Sequence, residues 1–254
     1  MATSRAKKAQ RAPRDEAEFL AKYDPAEFER PSVAVDVALV SVVDGALYTL
    51  LLRRGEHPHR GRYALPGGFV GMKESLEAAA RRVLAAKTGL SGVFLEQLYT
   101  FGNPGRDPRT RVVSVAYYAL VDRARFDERA NSEGTVGRLR IPWEGEVGGP
   151  VGVDDASGKP LELAFDHDDI LGMAVKRLRG KLDYSPIGFQ LLPETFTLLD
   201  LMQVHETVSG RPQNKDSFRR RMLSSGLLEA TGERQQDVGH RPAELYRFGK
   251  RSAV

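Results

Sequence analysis

The sequence predicts a mixed α/β protein made of two modules, and three features of the chain support this. Residues 33–52 are rich in β-branched and aliphatic residues around an Asp44-Gly45 turn, which is the pattern of a β-hairpin. A Pro66-Gly67-Gly68 segment then leads into a helical periodicity over residues 74–88. Beyond residue 185, two short helical patterns and a second hairpin pattern follow.

The composition is that of a globular protein. The chain has 254 residues, of which 41% are hydrophobic and 28% charged, enough for one large or two smaller domains. It contains no cysteine, which excludes disulfides and thiolate metal sites. The basic N-terminus lacks the apolar stretch of a secretory signal, and no tract reaches the roughly 20 apolar residues that span a bilayer. We therefore expect a cytoplasmic protein without a membrane partner.

The positive charge is concentrated at the C-terminus. The formal net charge is +4, and residues 205–254 contain ten Lys or Arg against six Asp or Glu. This balance favours a partner with phosphates at that end of the chain. Residues 1–30 form a basic tail that we expect to be partly disordered, with an opportunistic DNA contact as the alternative to a solvated tail.

The first module, residues 31–184, alternates strand and helix patterns. The predicted strands are 33–43, 47–52, 63–69, 93–101, 112–121 and 161–165. One helix begins near Glu74 and ends before Gly89, and a second begins at the potential N-cap Asp166 and runs to about Leu182. Residues 124–159 have a weak pattern, and we predict a surface excursion with order only near residues 139–143.

The second module, residues 185–254, has the parts of a winged helix-turn-helix. Thr197 is a potential N-cap for a helix that ends at Gly210. A basic helix follows over residues 215–225, and residues 227–231 and 245–248 form a hairpin pattern. In such a module the N-terminal residues of the second helix read the major groove.

The segment from Gly68 to Leu90 has the spacing of a catalytic loop and helix. The matching positions are Gly68, Glu74, Arg82, Leu84, Gly89 and Leu90. This spacing resembles the Nudix box, in which three glutamates after the arginine hold magnesium against a diphosphate. The resemblance implies a Nudix-like α/β/α sandwich, so that the predicted fold class is α/β (α+β) with a C-terminal winged helix-turn-helix domain.

The three positions of those glutamates carry other residues here, namely Val83, Ala86 and Lys87. Magnesium is held by carboxylates and substrate phosphates, and metal-assisted hydrolysis depends on that ion. We therefore predict no metal site, no catalytic residues and no cofactor, but a pocket that still binds a diphosphate. For Lys87 two interpretations stay open: its ammonium group partly replaces magnesium, or it is solvated or paired with a glutamate.

Arginines near the glycine-rich loop predict an anion site, because guanidinium groups suit phosphate oxygens and glycines let the backbone approach closely. The predicted effector-binding residues are Arg53, Arg54, Arg62, Gly67, Gly68, Phe69, Glu74, Arg82 and Lys87. An alternative for Glu74 and Arg82 is a mutual pair that holds the loop and helix together. Aromatic residues of this module, Phe69 among them, either stack on a base or belong to the core.

The basic helix of the second module predicts contacts with DNA. The predicted DNA-binding residues are Asn214, Lys215, Ser217, Phe218, Arg219, Arg220, Arg221, His240 and Arg241. Arg219, Arg220 and Arg221 cover a wide arc of the helix, and a run of arginines is otherwise a solvated face. The Gly239–Pro242 segment lies where a wing would turn, and it is either a DNA contact or only a turn.

Both modules together resemble the Nudix-related transcriptional regulators of NAD metabolism over residues 33–250. The segments that carry the resemblance are Pro66–Phe69, Ala164–His167, Leu192–Thr197, Phe218–Arg220 and Gly239–Pro242. The resemblance implies a homodimeric repressor that binds a pseudo-palindromic operator and responds to ADP-ribose or a related nucleotide. Two other functions stay open: an active Nudix hydrolase whose C-terminal module serves dimerisation or RNA contact, and a metabolite-binding scaffold without nucleic acid.

Overall fold

A computed structural model describes residues 15–130, 134–182, 184–236, 239 and 241–249. It divides into two compact units, residues 1–31 and residues 32–254. Of the tail expected to be partly disordered, residues 1–14 lie outside the described ranges. Within these ranges, no helix is both long and apolar enough to cross a membrane.

The N-terminal unit contains a helix that the sequence analysis did not predict. Helix α1 (Glu16–Lys22) begins at the N-cap Asp15, whose carboxylate accepts a hydrogen bond from the Glu18 amide at 2.8 Å. A short 3₁₀ turn follows at Pro25–Glu27. Three exposed rings contact one another within this unit: Phe19 is tilted against Tyr23 with centroids 5.7 Å apart, and Tyr23 stacks on Phe28 with centroids 6.2 Å apart.

The second unit is built on a mixed sheet. Its strands are β1 (Ser32–Val43), β2 (Ala46–Arg53), β3 (Tyr63–Ala64), β4 (Gly67–Phe69), β5 (Phe94–Phe101), β6 (Val112–Leu120), β7 (Thr135–Arg140) and β8 (Gly152–Asp154). The order is β5-β6-β1-β2-β7-β8, with β3 paired to β2 and β4 paired to β1. The long central strand β1 runs parallel to β6 and antiparallel to β2 and β4. This arrangement brings the glycine-rich loop against the first half of β1.

Helices cover both faces of the sheet. The helices of this layer structure are α2 (Leu76–Thr88), α3 (Arg123–Ala130), α4 (His167–Leu182) and α5 (Leu198–Ser209). Alternate residues of β1 point to opposite faces, so that Val35 and Val37 pack in the core with α2, and Ala38 packs in the core with α4. The predicted α/β/α sandwich is therefore confirmed.

Two predictions about residues 124–165 were wrong. The stretch described as a surface excursion contains α3, β7 and β8, because β7 extends the sheet beyond β2 and buries Leu139. Residues 161–165 were predicted as a strand, but only Leu163 forms an isolated bridge, parallel to Tyr63. Both strands are short, with six residues in β7 and three in β8, which explains the weak pattern.

The C-terminal module has the predicted winged-helix elements. Helix α5 has a capping box between Thr197 and Asp200 and ends at Gly210, whose φ of 69° is in the left-handed region that favours glycine. It is followed by α6 (Lys215–Ser224), β9 (Leu228–Arg234) and β10 (Glu244–Phe248). The hairpin is held to the segment before α5 by two backbone hydrogen bonds between Phe196 and Tyr246, at 2.9 and 2.8 Å.

Helix α5 belongs to two hydrophobic cores. One face carries Leu201 into the core of the winged helix with Phe218 and Met222. The other face carries Val204 and Val208 into the core that α4 forms on the sheet. The α/β/α sandwich and the winged helix therefore share α5 as a common element.

Candidate effector cavity and nucleic-acid interface

A cavity of about 220 Å³ lies beside the glycine-rich loop. Its lining residues are Ala34, Asp36, Arg54, Ala64, Leu65, Gly67, Gly68, Phe69, Arg106, Asp107, Arg109, Val112, Phe165 and His167. They come from β1, β3, β4, the start of β6, the loops after β2 and between β5 and β6, and the start of α4. Cationic side chains and backbone amides thus converge on one concave surface, an arrangement suited to an anionic ligand.

A buried charge cluster forms the floor of the cavity. Arg106, whose side chain is 4% exposed, donates to both carboxylate oxygens of Asp166 at 2.9 and 2.6 Å and to Asp36 at 3.3 Å. Ser114 donates its hydroxyl to Asp36 at 2.5 Å. Burial lowers the pKa of Arg106, but the hydrogen bonds and charges of the two aspartates outweigh burial and raise it. The cluster therefore holds a permanent guanidinium between two carboxylates.

His167 completes this floor as a neutral side chain. Its Nδ1 accepts a hydrogen bond from the Leu65 amide at 2.9 Å, so the ring proton lies on Nε2, which is 3.6 Å from Asp36 Oδ1. Burial lowers the pKa of His167, and the nearby aspartates oppose this only in part. His167 therefore fixes the start of α4 against the loop that precedes Pro66.

A second cavity of about 450 Å³ adjoins the first and shares Arg106 and Phe165 with it. Phe165 has a φ of 57°, a region that bulky side chains rarely adopt. Its ring lies 4.8 Å from the Arg54 guanidinium and 4.8 Å from the His59 ring. The second cavity is also lined by Asp169, whose pKa is raised first by burial and then by Asp168 and Asp166.

The structure brings some of the predicted effector residues to the cavity and not others. Arg54, Gly67, Gly68 and Phe69 line it. The remaining five, Arg53, Arg62, Glu74, Arg82 and Lys87, are not among its lining residues. Arg53 instead donates to the Gly61 carbonyl at 3.4 Å, and Arg62 pairs with Glu162 at 3.3 Å.

Glu74 and Arg82 hold the loop and helix together, which is the alternative considered for them. Arg82 donates to the Glu74 carboxylate at 2.9 and 2.5 Å and to the Phe69 carbonyl at 3.1 Å. The Gly71 amide donates to the same carboxylate at 2.6 Å. These contacts fix the turn that carries Phe69 to the rim of the cavity, so both residues act on the cavity through the backbone.

We expect the Glu74 carboxyl to titrate far below its usual range. The hydrogen bond from Arg82, followed by that from Gly71, lowers the pKa of Glu74 from 4.5 to about 2. Because the folded-state pKa is the lower one, the stabilisation from this pair is complete above pH 4.5 and is lost as the pH falls through about 2. Carboxyl-resolved NMR titration measures the pKa. In Arg82→Gln it should return toward its ordinary value; a wild-type pKa near 4.5 would contradict the pairing.

The former metal-binding positions do not fit a magnesium ion. Val83 is 2% exposed and packs beneath Gly68. A methyl group added to Gly68 would lie 3.2 Å from the Cγ2 atom of Val83. Ala86 and Lys87 are exposed on α2. Glu74, Glu77 and Asp107, the acids from which a substitute site would be assembled, each pair with an arginine. Within the described ranges, no three acidic or histidine side chains group as metal ligands.

The exposed face of α6 is basic. Asn214 caps the helix by accepting a hydrogen bond from the Ser217 amide at 3.0 Å. Lys215, Arg219 and Arg220 are exposed, and among the described residues none of the three forms an ion pair. Arg221 lies over the Phe218 ring at 5.3 Å and donates to Gln213 at 3.4 Å. The N-terminal part of α6 thus offers a cap side chain and several cations to a polyanion.

Phe218 requires a correction within the predicted DNA-binding set. It is 2% exposed, and its ring packs edge-on against His205 of α5 at 5.1 Å. Phe218 is therefore a core residue that orients α6 and does not offer its side chain to DNA. Ser217 and Arg241 are exposed, whereas His240 lies outside the described residues.

Comparison with known proteins agrees with both halves of this geometry. Residues 30–144 match the family model described as NUDIX domain, and residues 188–248 match the one described as NrtR DNA-binding winged helix domain. The chain is also 38% identical, over 91% of its length and 87% of the relative, to the ADPR responsive transcriptional repressor NtrR of Acinetobacter baylyi. The chain belongs to the NrtR family.

Structural similarity extends over both modules of this NrtR family member. The crystal structure of Shewanella oneidensis NrtR complexed with a 27mer DNA is 34% identical, with a TM-score of 0.70 over 85% of this chain and 93% of that one. The Nudix part is also similar to an ADP-ribose pyrophosphatase of Methanocaldococcus jannaschii, at 37% identity over 56% of this chain and 71% of that protein. The predicted family and fold are confirmed.

Sequence reasoning missed most of the charged floor of this NrtR cavity. Asp36, Arg106 and Arg109 were not predicted as site residues, because they lie in a strand and a loop far from the box in sequence. One signal was present: Asp36 interrupts the apolar strand β1, and a charge in a buried strand requires a partner. The structure supplies that partner from the loop between β5 and β6, as Arg106.

Proposed function

We propose that this protein is a transcriptional repressor that binds operator DNA through its winged helix and senses ADP-ribose, or a related nucleotide, through its Nudix domain. The observation that carries the proposal is a Nudix cavity whose frame is kept while Val83, Ala86 and Lys87 replace the metal-binding glutamates. Binding without hydrolysis suits a sensor. The likeness to a repressor that is ADPR responsive supports this ligand, and the resemblance to regulators of NAD metabolism suggests NAD biosynthesis or salvage genes as targets.

The chemistry of the two adjoining cavities suits a diphosphate that links two larger groups. In the first cavity, Arg54 and the backbone of Gly67 and Gly68 face the position for phosphate oxygens. A volume of about 220 Å³ is small for a nucleotide, since ligand pockets span roughly 300–1,000 Å³. The ligand must therefore extend past Phe165, and Asp169 in the second cavity offers a carboxylate to ribose hydroxyls.

We expect Arg54→Ala to weaken ADP-ribose binding by about 10–100-fold, which corresponds to losing one charged hydrogen bond of about 1.5–3 kcal/mol. Arg54 lines the cavity, and among the described residues it forms no ion pair that would compete for its charge. Titration calorimetry in EDTA measures the dissociation constant. Arg53→Ala is the matched control, because this neighbouring arginine lies outside the cavity lining. Equal affinities for wild type and Arg54→Ala would contradict the assignment.

The proposed DNA complex is a homodimer on a pseudo-palindromic operator. Two recognition helices related by a two-fold axis match half-sites one helical turn apart. A regulator of chromosomal genes acts in the cytoplasm. Genomic fragments selected by the purified protein, with and without ADP-ribose, would identify the operator and the direction of the effect. Absence of any selected duplex, together with tight ADP-ribose binding, would indicate a scaffold without nucleic acid.

We expect Arg219→Ala to make the plot of log binding constant against log salt concentration less steep by about one unit, the effect of removing one phosphate contact. Arg219 is exposed on α6 two residues after Ser217. Fluorescence anisotropy at several potassium chloride concentrations measures the slope. Lys22→Ala, which removes an exposed cation of the N-terminal unit, is the control. An unchanged slope for Arg219→Ala would assign Arg219 to a solvated face.

The alternative function is an ADP-ribose pyrophosphatase, which the similarity to the Methanocaldococcus jannaschii enzyme favours. The side chains available as magnesium ligands argue against this activity. The box offers no carboxylate after Arg82, and the neighbouring acids are paired with arginines. Incubation of the homogeneous protein with ADP-ribose and magnesium, followed by measurement of AMP, decides between the two. Rapid magnesium-dependent release of AMP would favour the enzyme.

A further inference from the structure

Helix α4 extends from the effector cavity to the winged helix. Its first residue, His167, lines the cavity, and Asp166 immediately before it pairs with Arg106. The helix has 16 residues, so it is about 24 Å long at 1.5 Å per residue. Its last turns contribute Leu178 and Leu182 to the core that also contains Val204 of α5. One continuous helix therefore connects the cavity to the core that contains α5.

Arg179, near the C-terminal end of α4, makes directional contacts with α5. Its Nε donates to the carbonyl of Val208 at 2.9 Å, in the last turn of α5. Carbonyls in a last helical turn lack partners within the helix and lie at the negative end of its dipole. The same guanidinium lies close to Gly210, the residue that ends α5: a methyl group added to Gly210 would be 3.2 Å from Arg179 Nη2. Arg179 thus completes the C-terminus of α5.

The other hydrogen bonds of Arg179 go to the effector domain. Its Nη1 donates to the carbonyls of Trp143 at 3.2 Å and Gly145 at 2.9 Å, and the guanidinium lies over the Trp143 ring at 4.8 Å. Among the described residues, no carboxylate pairs with it. A half-buried arginine whose partners are three backbone carbonyls in two modules fixes their relative position. Apolar contacts alone do so less strictly, because they are not directional.

We propose that Arg179 is the positioning residue that sets the orientation of α5, and through it of α6, relative to the effector domain, and that effector binding changes operator affinity through this contact. The inference rests on the proposed function. Without the guanidinium, α5 keeps its apolar contacts with α4 but loses its directional link to the sensor. The two sites should then bind their ligands independently.

The test compares the operator affinity of each variant with and without saturating ADP-ribose, by fluorescence anisotropy on the selected duplex. For wild type we expect the two dissociation constants to differ by about 5–150-fold, the usual range of coupling between sites. For Arg179→Ala we expect a ratio below about two, with ADP-ribose affinity within about twofold of wild type. Arg179→Lys keeps the charge but not the planar fork, and its ratio should be intermediate.

Arg177→Ala is the matched control. This arginine also lies on α4 and donates to the Leu98 carbonyl at 2.9 Å, but its partners belong to β5 and not to α5. For Arg177→Ala, the ratio of operator dissociation constants with and without ADP-ribose should equal that of the wild-type protein.

The inference would be overturned if Arg179→Ala had the same ratio as the wild-type protein. If Arg179→Ala does not fold, Arg179→Lys decides: a reduced ratio supports the inference and an unchanged ratio overturns it. If ADP-ribose does not change the operator affinity of the wild-type protein, the proposed function itself is rejected and, with it, the coupling.

Discussion

Replacing Arg106 by methionine should lower the free energy of unfolding by about 3–5 kcal/mol, the usual effect of removing one partner from a buried charge network. The Arg106 guanidinium is the cation between Asp36 and Asp166, and its side chain is 4% exposed. Methionine fills a similar volume but leaves both carboxylates near each other without a countercharge. Part of the loss is avoided if one of them takes up a proton. Urea denaturation followed by far-UV circular dichroism measures the effect.

The control for this variant is Arg109→Met in the same loop. Arg109 pairs with Asp107, whose side chain is 4% exposed, but the Arg109 side chain itself is 48% exposed. We expect a smaller loss of stability than for Arg106→Met, because Asp107 keeps the hydrogen bond from the Arg109 backbone amide at 3.0 Å. Equal effects of the two substitutions would show that the buried cluster does not depend on its central arginine. A second check is Arg106→Met with Asp166→Asn, which should recover stability relative to the single variant.

Replacing Phe218 by alanine should destabilise the winged helix by about 3–5 kcal/mol, the usual effect of removing a buried phenylalanine side chain. The core of this module is small, and Phe218 packs there between α5 and α6 with Leu201 and Met222. Operator binding should be lost because α6 no longer has a fixed orientation. Thermal unfolding and anisotropy on the selected duplex measure the two effects.

Leu223→Ala provides the control on the same helix. Leu223 is 44% exposed, so its truncation removes little buried surface and should leave both stability and DNA affinity nearly unchanged. Full operator affinity in Phe218→Ala would contradict the role of this ring. It would mean that α6 keeps its orientation without the Phe218 ring.

Local signals in the sequence predicted where most helices begin and end. Thr197 is an N-cap, and Gly89 and Gly210 end their helices in the left-handed conformation, as expected from residues whose preferences act over one turn. The β-branched run at residues 33–43 similarly predicted a strand, and the structure has β1 there. Where the local pattern was weak, at residues 124–159, β7 and β8 were not predicted. They are held by pairing with other strands, β7 with β2 and β8 with β7.

The candidate site was predicted only in part, for a physical reason. The box spacing located Gly67, Gly68 and Phe69 at the cavity because all three belong to one continuous loop. Arg53 and Arg54 are adjacent in sequence, yet only Arg54 lines the cavity: Arg53 is the last residue of β2, and Arg54 is the first residue of the loop that follows. No sequence spacing distinguishes these two arginines without knowledge of where β2 ends.

The sequence by itself determined the family, the order of the elements and the loss of the metal-binding carboxylates, since these depend on residue identity at fixed spacing. Only the tertiary structure decided that Asp36, Arg106 and Asp166 form one cluster and that Arg179 joins α4 to α5. These groups are up to 130 residues apart along the chain. Their charges and hydrogen bonds interact over only a few ångströms, so their partnership exists only after the sheet and helices have packed.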